Sequence, residues 1–279
     1  MKADCHIHAV LDGVDWKQAI ARHKEKPDEA FIRNILSTYR QQGYNYLRDG
    51  GDRWGAGLLA RKLAPAYGIT YRTPGPPLCF AGHYGSFIGC TYENLQEYAV
   101  LVATAREKGY DFIKIMISGL MDFDRFSVLT EPPLEKMHIR QLIHIAHQEG
   151  MAVMAHANGE AALHAAEAGV DSVEHGAYLH PETLYAMKEA KTVWVPTLST
   201  VGNLRGKGRF CETAVEQILE SALENVGMFA NMGGLLAPGT DAGAWAVPHG
   251  SETELPLLYR AGVTDEQLRQ GIAVITEKF

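Results

Sequence analysis

The sequence predicts an α/β fold of eight strand–helix units, a (β/α)8 TIM barrel. Short apolar segments alternate with amphipathic segments along the 279 residues, and a glycine often separates a helix from the next strand. Glycine ends helices well because it adopts the left-handed conformation without a steric penalty. Alternating strands and helices favour parallel pairing, and eight such units in about 250 residues match the size of this barrel.

The predicted elements follow one another with this spacing. The strands are ADCHIHAV (3–10), YNYLRDGG (44–51), ITYRTPG (69–75), DFIKIMISG (111–119), MAVMAHANG (151–159), VDSVEHG (170–176), TVWVPTLS (192–199) and LLAPGTDAG (235–243). The helices are residues 28–42, 55–67, 92–108, 134–149, 159–168, 181–190, 212–232, 251–261 and 265–278. We expect a single domain over residues 1–279. The alternative, a doubly wound open sheet, usually has a glycine-rich phosphate-binding turn after its first strand, and the sequence shows none there.

The composition limits the kinds of partner that the protein is expected to bind. The net charge is −7 and no run of Lys or Arg occurs, which argues against binding to nucleic acid. The N-terminus lacks a hydrophobic signal core, and no apolar run is long enough to span a membrane. The four cysteines form no CxxC pair, which favours buried free thiols in a reducing compartment. We therefore expect a cytoplasmic protein that acts on a small molecule, in a fold class that often forms homo-oligomers.

Potential metal ligands stand in or just after five of the predicted strands. In a parallel barrel the carboxyl ends of the strands form the active-site face. His6 and His8 are two residues apart on the first strand, so both imidazoles point the same way and can reach one cation. Taken singly, each histidine fits a packed or loop residue and Asp241 fits a helix N-cap. Their conjunction predicts a metal site formed by His6, His8, Lys114, His156, His175 and Asp241.

Lys114 lies in the middle of an apolar strand. A bare ammonium group there is costly to desolvate and would repel a metal. A neutral lysine that reacts with CO₂ becomes a carbamate, an anion whose two oxygens can bridge two cations. The alternative is an ion pair between Lys114 and an acid such as Asp241.

These residues and several longer stretches resemble one enzyme family. The stretches NYLRDGG, GMAVMAHANGEAALHAAEAGVDSVEHGAYL, LLAPGTDAGAW and PHGSETELPLLYRAGVTDEQL are similar to the imidazolonepropionase- and prolidase (Xaa-Pro dipeptidase)-like branch of the amidohydrolase superfamily. The resemblance implies that His6, His8 and Asp241 hold one metal, that His156 and His175 hold a second, and that carboxylated Lys114 bridges them. Zinc is the default ion for such ligands. It further implies a metal-bridged hydroxide as nucleophile, with Asp241 as general base and acid.

The sequence suggests further residues around the metals, and the resemblance supports one of them, His83. His83 follows the third strand and is expected to act at the substrate carbonyl. Tyr178 is expected to bind a substrate carboxylate, and His249 in the last loop to reach the substrate. Arg48 and Asp49 are expected to form an ion pair below the metals.

One feature departs from the family. Relatives usually flank the barrel with a small β-sandwich built from both termini, and no strands remain here for one. We therefore expect a barrel-only short form, or a chain shortened at both ends. The segment SGLMDFDRFSVLTEPP (118–133) is rich in aromatic and acidic residues and is expected to form a lid or specificity loop.

The predicted function is hydrolysis of an amide or peptide C–N bond in a small substrate such as a dipeptide or an N-acyl amino acid. A cyclic-amide hydrolase or a deaminase is an alternative, although related deaminases usually have HxxE on strand five and lack the strand-four lysine. A lactonase or esterase is another, because the same nucleophile attacks any activated carbonyl. The alternative from a different class is a non-catalytic barrel that only binds its ligand.

Overall fold

The computed structural model describes residues 1–279 and contains ten strands and eleven α-helices. The strands are β1 (Ala3–Ile7), β2 (Tyr46–Asp49), β3 (Thr70–Arg72), β4 (Leu78–Phe80), β5 (Cys90–Tyr92), β6 (Ile113–Met116), β7 (Val153–Ala157), β8 (Ser172–His175), β9 (Val193–Val195) and β10 (Leu235–Leu236). The helices are α1 (Trp16–Ala21), α2 (Glu29–Gln41), α3 (Ala56–Leu63), α4 (Leu95–Glu107), α5 (Lys136–Gln148), α6 (Glu160–Glu167), α7 (Pro181–Glu189), α8 (Ser199–Gly202), α9 (Glu212–Asn231), α10 (Glu254–Arg260) and α11 (Asp265–Lys278).

All strand pairs are parallel. Three strands form one sheet in the order β1-β2-β3, and seven form another in the order β10-β9-β8-β7-β6-β4-β5. The register places Met116 beside His156 and His156 beside Glu174 on consecutive strands. The predicted α/β class with parallel pairing is therefore confirmed.

Backbone hydrogen bonds connect the two sheets at both of their junctions. On one side the Cys5 amide donates to the Pro238 carbonyl (2.8 Å) and the Asp241 amide to the His6 carbonyl (2.7 Å). On the other side the Asp111 amide donates to the Thr73 carbonyl (3.1 Å). The strand ladder is not continuous at these junctions, so a fully closed barrel stays a prediction.

The structure contains short elements that the sequence pattern did not predict. β4 and β5 are three residues each and lie in a region expected to be a loop, and α1 has six residues. Elements this short do not span enough residues to show a hydrophobic period. The predicted helix 55–67 ends at Leu63 and continues as a 3₁₀ turn, Ala64–Tyr67, that contains Pro65. A proline there lacks the N–H that an α-helix interior requires.

Helix α11 covers the amino ends of the strands. The Phe279 ring packs edge-on against Phe112, which precedes β6, with the centroids 5.1 Å apart. The Arg48 guanidinium carbon lies 4.5 Å from the centre of the Phe279 ring. The amino ends of the strands are therefore closed by packed side chains, and the cavity described below forms at the opposite ends.

Two expectations from composition can be compared with the structure. All four cysteines are unpaired; Cys5 and Cys79 are buried as expected, whereas Cys90 is half-buried and Cys211 is exposed. None of the helices combines the length and the apolar character needed to cross a membrane.

Candidate metal centre

One cavity of about 680 Å³ lies at the carboxyl ends of the strands. β1, β6, β7, β8 and the loop after β10 contribute polar residues to it, in the places where the sequence predicted ligands. All six predicted ligands line it: His6, His8, Lys114, His156, His175 and Asp241.

Three of the six bring their ligand atoms close together. One ligand atom each from His6, His175 and Asp241 lies within 4.8 Å of the others. His8 adjoins this group, because its Nε2 is 3.3 Å from His6 Nε2 and 3.1 Å from Asp241 Oδ1. Four side chains from β1, β8 and the loop after β10 therefore converge.

His156 lies beside this group and is oriented differently. Its ring centroid is 4.6 Å from that of His175 and 4.9 Å from that of Tyr84. His156 Nε2 lies 3.2 Å from the Gly119 carbonyl, which can only accept, so Nε2 donates and the lone pair is on Nδ1. The structure thus places His156 next to His175 without including it in the tight group.

Lys114 is buried and has no partner. The residue is only 1% exposed, and its Nζ makes no hydrogen bond. No carboxylate lies within ion-pair distance of Nζ, so the alternative of a Lys114–Asp241 ion pair is wrong. Burial lowers the pKa of Lys114 from 10.5 to about 8.

Glu174 orients His6 from below. Because a carboxylate only accepts, His6 Nδ1 donates to Glu174 Oε2 (2.7 Å) and its Nε2 lone pair faces the cavity. Arg48 Nη2 donates to Glu174 Oε1 at 2.8 Å. Burial would raise the pKa of Glu174, but the charge of Arg48 and the hydrogen bond from His6 outweigh it and lower the pKa to about 2. This carboxylate fixes the tautomer of His6. Groups that bond the other ring nitrogen of a metal-binding histidine commonly have this effect.

The expected ion pair between Arg48 and Asp49 does not form. Successive residues of a strand point to opposite faces, so the two side chains diverge. Arg48 pairs with Glu174, whereas Asp49 accepts hydrogen bonds from Thr73 Oγ1 (2.9 Å) and the Ala9 amide (3.2 Å).

His175 is held at a strained backbone position. Its φ is +66°, a left-handed conformation that residues other than glycine adopt at a cost. Trp194 Nε1 donates to its carbonyl (3.0 Å), and His175 Nδ1 lies 2.7 Å from Thr197 Oγ1. Asp241 has a φ of +57° as well. Two of the three clustered residues thus occupy conformations that the surrounding contacts must enforce.

Three of the imidazoles, those of His6, His156 and His175, are neutral at pH 7. Burial, together with the charge of Lys114, lowers the pKa of His6 to about 4 and that of His156 to about 3. Burial lowers the pKa of His175 well below its ordinary value. A neutral imidazole keeps a lone pair for a metal, so this state is the one that a metal site requires.

The unpartnered polar atoms of the cavity fit a divalent cation. Lys114 Nζ and His8 Nδ1 are buried without a hydrogen bond. Buried polar atoms are rarely left in this way, because each costs about 1–3 kcal/mol. Imidazole nitrogens and carboxylate oxygens are donors that zinc and similar ions accept.

Known proteins of similar sequence cover part of the chain. No family model matches the sequence. An uncharacterized protein of Mycobacterium tuberculosis is 33% identical over 134 residues, which are 45% of this chain and 36% of that protein. Ochratoxinase of Aspergillus niger is 27% identical over 146 residues, 52% of this chain and 28% of that enzyme. The chain thus matches about a third of the length of these curated relatives.

Solved structures align with nearly the whole chain. A Xaa-Pro dipeptidase with methionine bound in its active site aligns with a TM-score of 0.79 at 19% identity, over 99% of this chain and 75% of that one. The A. niger ochratoxinase structure aligns with a TM-score of 0.76 at 21% identity, over 99% and 69%. The chain has the fold of the prolidase-like amidohydrolases. The resemblance that the motifs predicted is therefore confirmed for the fold.

Three residues predicted around the metals do not line the cavity. His83 Nδ1 is 3.6 Å from Glu131 Oε1. Tyr178 packs edge-on against Phe126, with the ring centroids 5.6 Å apart. His249 Nε2 lies 2.9 Å from the Leu11 carbonyl, to which it donates. Their roles toward a substrate stay predictions.

The residues that orient the ligands were not predicted from the sequence. Glu174 and Thr197 contact the ring Nδ1 atoms of His6 and His175, and Asn158 Nδ2 donates to the Gly119 carbonyl at 2.9 Å. Glu174 had a usable signal, since a buried charge one residue before a predicted ligand requires a partner. Thr197 had none, because an uncharged side chain does not require a charged partner.

Proposed function

We propose that the protein is a metal-dependent hydrolase of an amide or peptide C–N bond in a small substrate, such as a dipeptide or an N-acyl amino acid. One observation carries the proposal. Ligand atoms of His6, His175 and Asp241 lie within 4.8 Å of one another, in a cavity that also contains His8, His156 and Lys114. The fold shared with a Xaa-Pro dipeptidase and with ochratoxinase supports it.

Two divalent ions, zinc by preference, would occupy this cavity. His6, His8 and Asp241 would hold one ion, and His156 and His175 the other. Lys114 would bridge them after its neutral amine adds to CO₂ and loses a proton to form a carbamate. Bound ions of this kind supply a Lewis acid for the carbonyl and a water of lowered pKa.

The side chains perform the remaining tasks. Asp241 lines the cavity, and its carboxylate can accept a proton from the attacking water. The same carboxyl group then donates the proton to the leaving amine. The amine needs this proton because the unprotonated nitrogen is a poor leaving group. Glu174 and Thr197 keep the rings of His6 and His175 in place during turnover.

The proposal includes the organisation of the whole chain. The eight predicted strands correspond to β1, β2, β3, β6, β7, β8, β9 and β10, and we expect these to close into one barrel domain. The substrate is a small molecule that enters the cavity, and nucleic acid is not a partner.

The test compares metal-free protein with protein reloaded with zinc. Both are assayed for release of free amine from a panel of dipeptides and N-acyl amino acids. We expect hydrolysis by the reloaded protein only, and a loss of about 100- to 10,000-fold in Asp241→Asn, the range for general acid–base groups. The matched control is Asp265→Asn, which removes an exposed carboxylate at the start of α11.

The outcomes separate clearly. Turnover that depends on zinc and on Asp241, with Asp265→Asn active, supports the proposal. Equal turnover by metal-free protein, or full activity of Asp241→Asn, contradicts it. The absence of turnover across the panel would favour a barrel that only binds its ligand.

A further inference from the structure

Arg209 is a cation at the cavity without a partner in the protein. It lies between α8 and α9, is exposed, and lines the same cavity as the predicted ligands. Its guanidinium carbon is 4.2 Å from the centre of the Trp245 ring and 5.2 Å from that of Phe210. It forms no ion pair and no side-chain hydrogen bond, so all its donors are free for a ligand.

The ring of Trp245 orients this guanidinium group. A planar guanidinium stacked on an aromatic face is restrained in its orientation. A restrained group loses less conformational entropy when it binds a planar anion, and a carboxylate matches its paired N–H donors. Arg205, in the same loop, is also exposed but does not line the cavity.

The remaining wall of the cavity is strongly aromatic. Phe210 packs against Trp245 and Phe123, with centroids 5.9 Å and 5.2 Å apart. A second aromatic group contains Phe87, whose centroid is 5.5 Å from that of Trp16 and 5.7 Å from that of Tyr84. Such walls bury a large apolar group better than a small one.

We infer that Arg209 binds a free carboxylate of the substrate while the aromatic walls bind a large apolar or aromatic group. The substrate class is therefore an N-acyl amino acid or dipeptide that has both a free carboxylate and a bulky apolar side chain. This inference rests on the proposed function for the identity of the scissile bond. Its binding prediction is independent of turnover.

The test measures binding of two probes to the zinc-loaded protein by calorimetry. N-benzoyl-L-phenylalanine has the carboxylate and the aromatic groups, and N-benzoyl-L-phenylalaninamide lacks only the charge. We expect the acid to bind wild type at least 10-fold more tightly than the amide. Arg209→Gln should weaken binding of the acid about 10-fold or more and that of the amide less than 2-fold, because only the acid loses a charge-assisted pair.

Two further variants make the result specific. Arg209→Lys keeps the charge without the planar fork and should recover part of the affinity for the acid. Arg205→Gln removes an equal charge from the same loop and should bind both probes as wild type does. Arg209 is exposed in a loop, so its replacement leaves folding intact.

The inference is overturned by equal binding of acid and amide to wild type, by equal weakening of both probes in Arg209→Gln, or by no binding of either probe. Preferential binding of the acid through Arg209 without C–N hydrolysis would support the inference and count against the proposed function alone. The last outcome is that wild type prefers the acid and that Arg205→Gln and Arg209→Gln remove this preference equally. This result would assign the preference to the general charge of the loop and overturn the specific role of Arg209.

Discussion

Replacing Glu174 with glutamine removes the negative member of a fully buried ion pair. Glu174 and Arg48 are both 0% exposed, and their closest atoms are 2.8 Å apart. In Glu174→Gln, Arg48 keeps only neutral partners, the Cys5 carbonyl at 2.7 Å and Ser172 Oγ at 2.9 Å. Breaking a buried pair by removing one charge costs about 3–5 kcal/mol, because the other charge stays uncompensated.

This loss is a large fraction of the stability of a typical domain, about 5–15 kcal/mol. The assay is urea unfolding of metal-free protein at pH 7, followed by tryptophan fluorescence. The double variant Arg48→Met/Glu174→Leu removes both charges and should recover more than half of the loss. Glu266→Gln breaks an exposed pair with Arg269 and serves as control, with an expected change below about 1 kcal/mol. A Glu174→Gln effect no larger than that of this control would mean that the buried pair does not stabilise the fold as expected.

Two other substitutions test the supports of the fold and the centre. Burial would raise the pKa of Asp171, but hydrogen bonds from His147 and Lys278 outweigh it and lower the pKa from 3.8 to about 2. The associated stability, on the order of 2 kcal/mol, is present above pH 4 and is lost as the pH falls from 4 to 2. Urea unfolding should therefore show Asp171→Asn less stable than wild type at pH 7 and nearly equal at pH 2, and equal stability at pH 7 would be contrary to this. Thr197→Val removes the contact to His175 Nδ1 and should weaken zinc binding about 10- to 100-fold in a chelator competition, whereas unchanged affinity would leave Thr197 without a role at the centre.

Most of the fold could be predicted from the sequence because it follows from local signals. Glycines such as Gly109 and Gly150, both at positive φ, end helices at the expected places. β4 and β5 could not be predicted, since they are short and form only through pairing with β6 and with each other. Closure of the barrel depends on contacts between distant strands, for which a single sequence has no local signal.

The residues of the cavity were predictable for a similar reason. Parallel strands bring their carboxyl ends together, so His6, His156 and His175 were expected on one face before any distance was known. What the sequence did not reveal is how each ring is turned. The partners of the rings, Glu174 and the Gly119 carbonyl among them, lie on other strands and loops.

Lys114 is proposed to belong to a centre for two divalent ions. Elemental analysis of protein purified without chelators, beside Lys114→Ala, tests it most directly. We expect about two ions per chain in wild type and a sharp fall in the variant, with the far-UV circular dichroism of the variant unchanged. One ion per chain regardless of Lys114, or none in either protein, would contradict it.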